Sequence, residues 1–437
     1  MRSTWKKDGL KEIDRQFFND IWGWADGTGR EYAIMGSLDS IYFIDVTDPA
    51  NPIEVDAEPG RDVNCIHRDF KTYKHYCFAV ADEGFSSLQV FDLQYLPDSV
   101  HKVYDSDEFG YRAHNIFIEG SKLYLAANLS KEKFSALRVL NIENPSKPKL
   151  LFDLEAQGIN LDYVHDIYVR NDTAICSGGE DGIYVFNVFD SIEKSGSKFY
   201  APGMELTGGM ATYPNKGYNH SSAMDKTGKY IYFADENHGL ALKVMAQKDN
   251  RGWSVVKEFG HEHEKGSIAH NPFVNGDLLY VSYYQQGVQV YDISVPDSPV
   301  RVGFYDTYPR NMGFDGLDGC WGVYPYLPSG NIIASDQYFG LYVFGELSSI
   351  SRPQKVSVLN VYPNPVSLGG IMGLNLEKPI VSISLHDLNG KLIKSFPPTT
   401  RGNEPFNIQF PENLVGGTYQ LRVETKNELL SKLIIAE

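Results

Sequence analysis

The chain has 437 residues, of which 42% are hydrophobic, 22% charged and 13% aromatic, and its formal net charge is −16. This is enough chain for two or more globular units, and the acidic balance excludes non-specific attraction to nucleic acid or anionic lipid. No run approaches the ~18 apolar residues of a membrane helix, and the four cysteines form no CxxC pair and no zinc spacing.

The first segment, residues 1–18, contains "MRSTWKKDGLKEIDRQ" and lacks the apolar stretch of a signal peptide. From residue 19 a unit recurs. Its anchor is a polar or aromatic residue: Asn19, Arg68, His114, His165, His220, His270 and Trp321, at intervals of 46–55 residues. After each anchor comes a short alternating strand such as "IFI" or "IYV", then a polar turn such as "EGSK" or "VNGD", then a second strand such as "LYLAA". A polar hairpin, usually closing on Gly ("GGEDG", "YQQG"), leads to the clearest strand of the unit: "IYFIDV", "LQVFDL", "LRVLNI", "IYVFNV", "VQVYDI" and "LYVFGE". The version in the fifth unit, "LALKVM", is degenerate. Three units continue through a double-proline turn ("TDPANP", "ENPSKP", "VPDSP") into a fourth strand, and proline belongs at such a turn because it cannot donate to a ladder.

Four short strands at a period near 50 predict an all-β chain: a seven-bladed β-propeller over residues 19–347, with six or eight blades left open. The seventh unit stops after its third strand. A ring of this kind closes by borrowing a strand from the other terminus, and residues 8–18 are expected to supply it. A linker over 348–356 would follow, and then a small Ig-like β-sandwich over 357–437, where strands alternate with Asn-Gly and Gly-Gly turns.

Two resemblances fit this plan. The words "NDIWGWADGTGREYAIMGSLDSIYFIDVTDPANP", "RDFKTYKHYCFAVADE" and "CWGVYPYLPSGNIIASDQYFGLYVF" resemble the LVIVD-repeat, choice-of-anchor B proteins of bacterial surfaces, a family that supplies no catalytic residues to carry over. The C-terminal words "YPNP", "DLNGK" and "GGTY", with a closing "KLIIA" strand, are similar to the type A sorting domain of the type IX secretion system of Bacteroidota. Its motif positions here are Pro363, Asn364, Pro365, Gly390, Gly417 and Tyr419. The resemblance implies recognition by that secretion machinery and an extracellular or cell-surface location. The missing signal peptide conflicts with this unless the N-terminus is trimmed or its start misassigned.

The first strand of a propeller blade lines the axial channel, so the anchors are expected at one mouth. The hairpins 15 or 16 residues later should return to the same rim, bringing Asp82, Glu83, Glu180, Asp181, Asp235, Glu236 and Asp336 there. Arg68, His114, His165, Asp166, His220, His270 and Trp321 are therefore the candidate ligand-binding residues. His114, His165, His220 and His270 are candidate ligands for a divalent metal, because imidazoles and carboxylates suit zinc or a transition metal. The simpler reading is that each anchor hydrogen-bonds the neighbouring blade. Imidazoles of adjacent blades could also lie too far apart to share an ion. Two weaker candidates are His261 with His263, two apart on a strand, and Asp315 with Asp318 in a Gly-rich loop.

No hydrolase elbow, HExxH, Walker loop, Rossmann fingerprint or sialidase Asp-box word occurs. The expected function is a non-catalytic binding module for an extracellular glycan, peptide or surface protein, with no certain cofactor. The alternative is a metal-dependent secreted enzyme at the His-lined mouth.

Overall fold

The structure is a computed structural model that describes residues 1–190, 192–194, 197–199, 202–247, 252–260, 266–310, 316–345, 359–375, 380–388, 390–397, 406–425 and 429–437. His261, His263, Asp315 and the 348–356 linker lie outside these residues. The chain divides into two compact units, Met1–Ile350 and Ser351–Glu437.

The first unit is built of seven four-stranded antiparallel sheets, which settles the blade count at seven. Blade 1 comprises Phe18–Ala25, Glu31–Ser37, Ser40–Asp45 and Ile53–Pro59. The first strands of blades 2 to 7 are Arg68–Tyr73, Asn115–Glu119, Asp166–Arg170, Asn219–Met224, Pro272–Asn275 and Cys320–Tyr324. The degenerate word of blade 5 forms a regular third strand, Leu242–Gln247, paired on both sides.

Burial follows position in the blade. Second and third strands are almost wholly buried, as in Tyr76–Ala81 and Leu88–Asp92, while fourth strands such as His101–Ser106 are largely open to solvent. Because side chains alternate between faces, each middle strand feeds two cores. Leu123 and Leu125 join Phe78 and Val90 of blade 2, while Tyr124 and Ala126 join Ile167 and Cys176 of blade 4. Every pair of adjacent blades shares one such apolar cluster. All four cysteines, Cys65, Cys77, Cys176 and Cys320, are buried free thiols.

The repeated hairpin glycine has a steric cause. Gly182, Gly287 and Gly340 hold φ of +94°, +66° and +89°, and a Cβ there would meet a backbone carbonyl of the fourth-strand side at 2.3, 2.0 and 2.5 Å.

The ring closes through Ser3–Trp5, which pairs antiparallel with Gly340–Phe344 as the outer strand of blade 7. This corrects the expectation that residues 8–18 would do so. The three-residue strand is held by what it packs on. The Trp5 ring lies 6.1 Å from Phe18 and 5.4 Å from Tyr42, Ser3 Oγ donates to Pro49 O at 2.6 Å, and Lys7 pairs with Glu54 at 2.6 Å. Residues 8–18 instead contribute Gln16, whose amide donates to Ile66 O, and Arg15, paired with Asp318 at 2.8 Å.

The second unit has a three-stranded and a four-stranded sheet over one apolar cluster containing Met372, Ile383, Phe410, Leu421 and Ile434. The motif residues work as its fasteners. Asn364 donates to Leu433 O at 2.9 Å and accepts from Ile435 N at 2.8 Å, clamping the last strand. Pro363 and Pro365 flank it. Gly390, at φ +82°, closes the turn in which Asp387 accepts from Lys391 N. Gly417 opens the strand Gly417–Thr425, and Tyr419 donates its hydroxyl to Val415 O at 2.6 Å.

This packing makes three predictions. Trp5→Ala should cost about 2 kcal/mol, less than the roughly 3–5 kcal/mol of a fully buried aromatic. Deleting residues 2–7 should expose the Gly340–Phe344 edge and promote association between copies, as read by thermal melting and light scattering. Lys243 and Asp235 form an ion pair of 2.8 Å at zero exposure, with Tyr213 donating to the same carboxylate at 2.7 Å. Lys243→Met should lower stability by roughly 3–5 kcal/mol, because it strands a buried carboxylate; chemical denaturation checks this.

Candidate functional site

The axial channel has two unlike ends. At one end, residues at the beginning of the first strands or just before them meet in a closed ring of five imidazoles and one indole. Centroid separations around it are His67–His114 5.4 Å, His114–His165 4.1 Å, His165–His220 4.1 Å, His220–His270 4.4 Å, His270–Trp321 5.2 Å and Trp321–His67 5.4 Å. Neighbouring imidazoles are thus in contact, contrary to the expectation that adjacent blades could hold them too far apart. Between the ring and Asp20, Asp69, Asn115, Asp166 and Asn271 lies a small cavity of about 30 Å³.

Two anchors do not take the positions expected of them. Arg68 turns its guanidinium between blades 1 and 2, donating to Ser37 O, Leu38 O and Asp62 O. Its place in the ring belongs to His67. Asn19 likewise donates to Ser37 O and Cys65 O, stitching blade 1 to the approach of blade 2. His67 was within reach of the sequence: "IHRD" matches "AHNI" and "VHDI" once the alignment is made on His itself.

Each ring nitrogen has a defined neighbour. His67 Nδ1 meets Glu83 Oε1 at 2.5 Å and His114 Nδ1 meets Asp82 Oδ2 at 2.8 Å. His165 Nδ1 reaches His220 O at 3.2 Å and His270 Nδ1 reaches Trp321 O at 2.5 Å, each crossing to the next blade. His220 differs. Its Nδ1 is buried and faces the His270 carbonyl without a hydrogen bond of normal geometry, and that carbonyl accepts from the Ser221 hydroxyl. Its Nε2 lies 3.7 Å from Glu236 Oε1, which Tyr284 holds with a 2.6 Å hydrogen bond.

Of the carboxylates expected at this rim, Asp82, Glu83 and Glu236 are there. Asp235 is committed to Lys243, and Asp336 accepts from Thr307 and from the Tyr338 and Phe339 amides. Asp318 is engaged by Arg15. Burial, reinforced by the other imidazoles, holds His165 and His220 well below the ordinary histidine value, and burial brings His270 down to about 3. Burial opposes protonation of His67 as well, but Glu83 outweighs it and raises that group.

Further along the first strands the channel widens to a cavity of about 370 Å³. Its floor is polar. Lys71 Nζ bonds Asp69 Oδ1 at 2.6 Å, Asp69 Oδ2 accepts from Ile116 N at 2.7 Å, and Asn115 Nδ2 lies 3.4 Å from Asp166 Oδ2. Asp20 sits beside Asp69 and has room because Gly322 lacks a Cβ, which would come within 2.6 Å of Asp20 Oδ1. Burial, and then the Asp69 charge, raise Asp20 well above the carboxylate range; burial raises Asp166 to about 8. Asp166 therefore belongs to this floor, one step below the His ring.

The wall above is aromatic. Trp22 lies 4.9 Å from Tyr324 and 6.3 Å from Phe273, Phe273 lies 6.3 Å from Tyr326, and Phe117 lies 5.3 Å from Tyr168. Lys71 Nζ stands 4.4 Å over the Trp22 ring. This funnel was not foreseen from the sequence, although Trp22, Phe117, Tyr168 and Phe273 all fall two residues beyond a channel-facing polar group, the spacing of one strand face.

Residues 360–437 match the family described as the secretion system C-terminal sorting domain. No curated protein matches the chain. Among solved structures, a candidate 6-phosphogluconolactonase from Bacteroides fragilis aligns at 13% identity over 91% of this chain and 96% of its own, with a TM-score of 0.48. The periplasmic gluconolactonase of Pseudomonas aeruginosa aligns at 11% identity over 90% and 100%, with a TM-score of 0.46. U3-55K aligns at 9% identity over 75% and 90%, with a TM-score of 0.49. These likenesses are too distant to speak about activity. Among the described residues no helix is long and apolar enough to cross a membrane. The chain carries, after a seven-bladed propeller, the C-terminal sorting domain of a secreted or cell-surface protein.

Proposed function

We propose that the protein is a surface or secreted binding module of the choice-of-anchor B type, which takes a neutral polyhydroxylated ligand, the end of a glycan, into the aromatic funnel. The observation that carries this reading is the pairing of an aromatic wall with a floor rich in hydrogen-bonding groups but low in net charge. Rings such as Trp22, Tyr168 and Phe273 offer faces for the C–H surface of a sugar. Lys71, Asn115, Asn271, Ser221 and Ser222 offer donors and acceptors, and a protonated Asp166 adds a hydroxyl donor. A cavity of about 370 Å³ is within the range of small-molecule sites. The sorting domain supports an extracellular setting.

A metal-dependent enzyme at the His end is the second reading, favoured by the approach of His165, His220 and Glu236. The His-ring cavity of about 30 Å³ holds an ion or a water but no substrate beside it, so binding in the funnel ranks first.

A glycan array followed by titration against intrinsic tryptophan fluorescence tests the reading, since Trp22 lines the site. Trp22→Ala and Tyr168→Ala should each weaken binding about tenfold or more while leaving the fold intact by circular dichroism. Absence of any glycan ligand, or binding indifferent to both substitutions, would refute it.

Two buried carboxyls, Asp166 of the floor and Asp336 of blade 7, also predict a pH dependence. Asp166 and Asp336, raised by burial to about 8 and about 7, keep their protons in the fold, whereas in the unfolded chain they ionise near 3.8. The folded state thus binds more protons, and this contribution is lost as pH rises toward 8. His67, also raised, acts in the same sense. His165, His220 and His270 act oppositely, but only below about 6.5, where the unfolded imidazoles take up protons. The melting temperature should therefore fall between pH 6.5 and 8, by roughly 1–2 kcal/mol of stability per carboxyl. Asp166→Asn should flatten that slope in a pH series of thermal melts.

A further inference from the structure

We infer that the His ring is a binding site for one divalent transition-metal ion of the zinc class, with His165, His220 and Glu236 as its ligands, and that the ion ties blade 4 to blade 5 and plugs the channel. The candidate donor atoms of these three residues lie within 4.8 Å of one another. Donors around a tetrahedral zinc at about 2.0–2.1 Å are roughly 3.3 Å apart, so side-chain movements of about 1 Å close the site. His165 and His220 are buried at 7% and 4% exposure.

The hydrogen bonding around the ring points the same way. Ligating histidines commonly donate the other ring N–H to a carbonyl or carboxylate, which fixes the tautomer and leaves a lone pair for the metal. His165 does this with His220 O, His270 with Trp321 O and His114 with Asp82. In each case Nδ1 is committed and Nε2 keeps its lone pair; of the two ligating histidines this holds for His165, while His220 presents its Nε2 directly to Glu236. Glu236 is positioned in turn by the Tyr284 hydroxyl. A ring serving packing alone has no need of a carboxylate held 3.7 Å from His220 Nε2. Asp82 and Glu83 add negative charge at the same mouth, favouring a cation. Three protein ligands leave one position, open to water or to His270, whose ring centroid is 4.4 Å from that of His220. Imidazole with carboxylate selects zinc or a neighbouring transition metal over calcium or magnesium, which take all-oxygen sites.

None of the three ligands lines the funnel, so failure of this site would leave the glycan reading untouched. The full chain, purified without a tag and stripped with a chelator, is titrated with Zn²⁺ by calorimetry and with Co²⁺ by absorption. The expected result is one ion per chain, a four-coordinate Co²⁺ spectrum and a melting temperature raised by several degrees. Glu236→Gln and His220→Gln should each abolish stoichiometric uptake. Tyr284→Phe, which keeps the packing and removes only the positioning hydroxyl, should weaken it about tenfold. If a ligand variant fails to fold, the Tyr284→Phe titration decides. No stoichiometric uptake by the wild-type chain, uptake unchanged in well-folded variants, or uptake without a shift in melting temperature would overturn the inference.

Discussion

Face-to-face packing of neighbouring sheets is the interaction on which the rest of this propeller depends. No blade has a core of its own. Its second and third strands send alternate side chains to the two sides, and each side becomes buried only when another blade covers it. An open stack would leave two apolar faces in water; closing the ring removes both. That is why a three-residue strand at the N-terminus matters so much. Ser3–Trp5 completes blade 7, and Trp5 joins the cluster shared by Phe18, Ile21, Ile333 and Val343 at the seam between the last blade and the first.

Closure also dictates what happens on the axis. First strands of adjacent blades converge there without pairing to one another, so carbonyls at their starts need partners from side chains. Asn19, Arg68, His165, Ser221 and His270 supply them, each reaching a neighbouring blade or the chain leading to it. The histidines thus have a structural task and, in the same stroke, a fixed tautomer. Past the ring the strands diverge, and the channel opens into a space that larger aromatic side chains line without filling. One end is sized for an ion and the other for a small molecule, and this difference separates the two chemistries considered for the protein.

The plan of the first unit was legible because it is written seven times. The third-strand words, the hairpin glycines and the double-proline turns all recur in phase. The steric reason for the glycines, a carbonyl close to where Cβ would be, applies at Gly182, Gly287 and Gly340. The site was less legible. The anchors in blades 3 to 6 were found because they are histidines in similar words. In blade 2 the alignment slipped by one residue onto Arg68, and in a strand one residue is the difference between the channel and the seam. Ring closure by residues 3–5 left no mark in the repeat, since a closing strand is recognised by its edge partner and not by its own pattern.

By itself the sequence determined the period, the strand order within a blade and the presence of a secretion-type C-terminal domain, because each is carried by local words whose meaning does not depend on distant residues. It also determined that the axis would be rich in histidine. Only the tertiary structure decided which of those histidines meet, that His67 joins them, that Glu236 and Tyr284 stand with them while Asp235 turns to a buried lysine, and that an aromatic funnel faces the other way. The meetings around the ring and across the funnel join residues about 50 or more positions apart, set by the curvature of a closed ring, and within a blade the choice between Asp235 and Glu236 depends on which face of the strand each one takes.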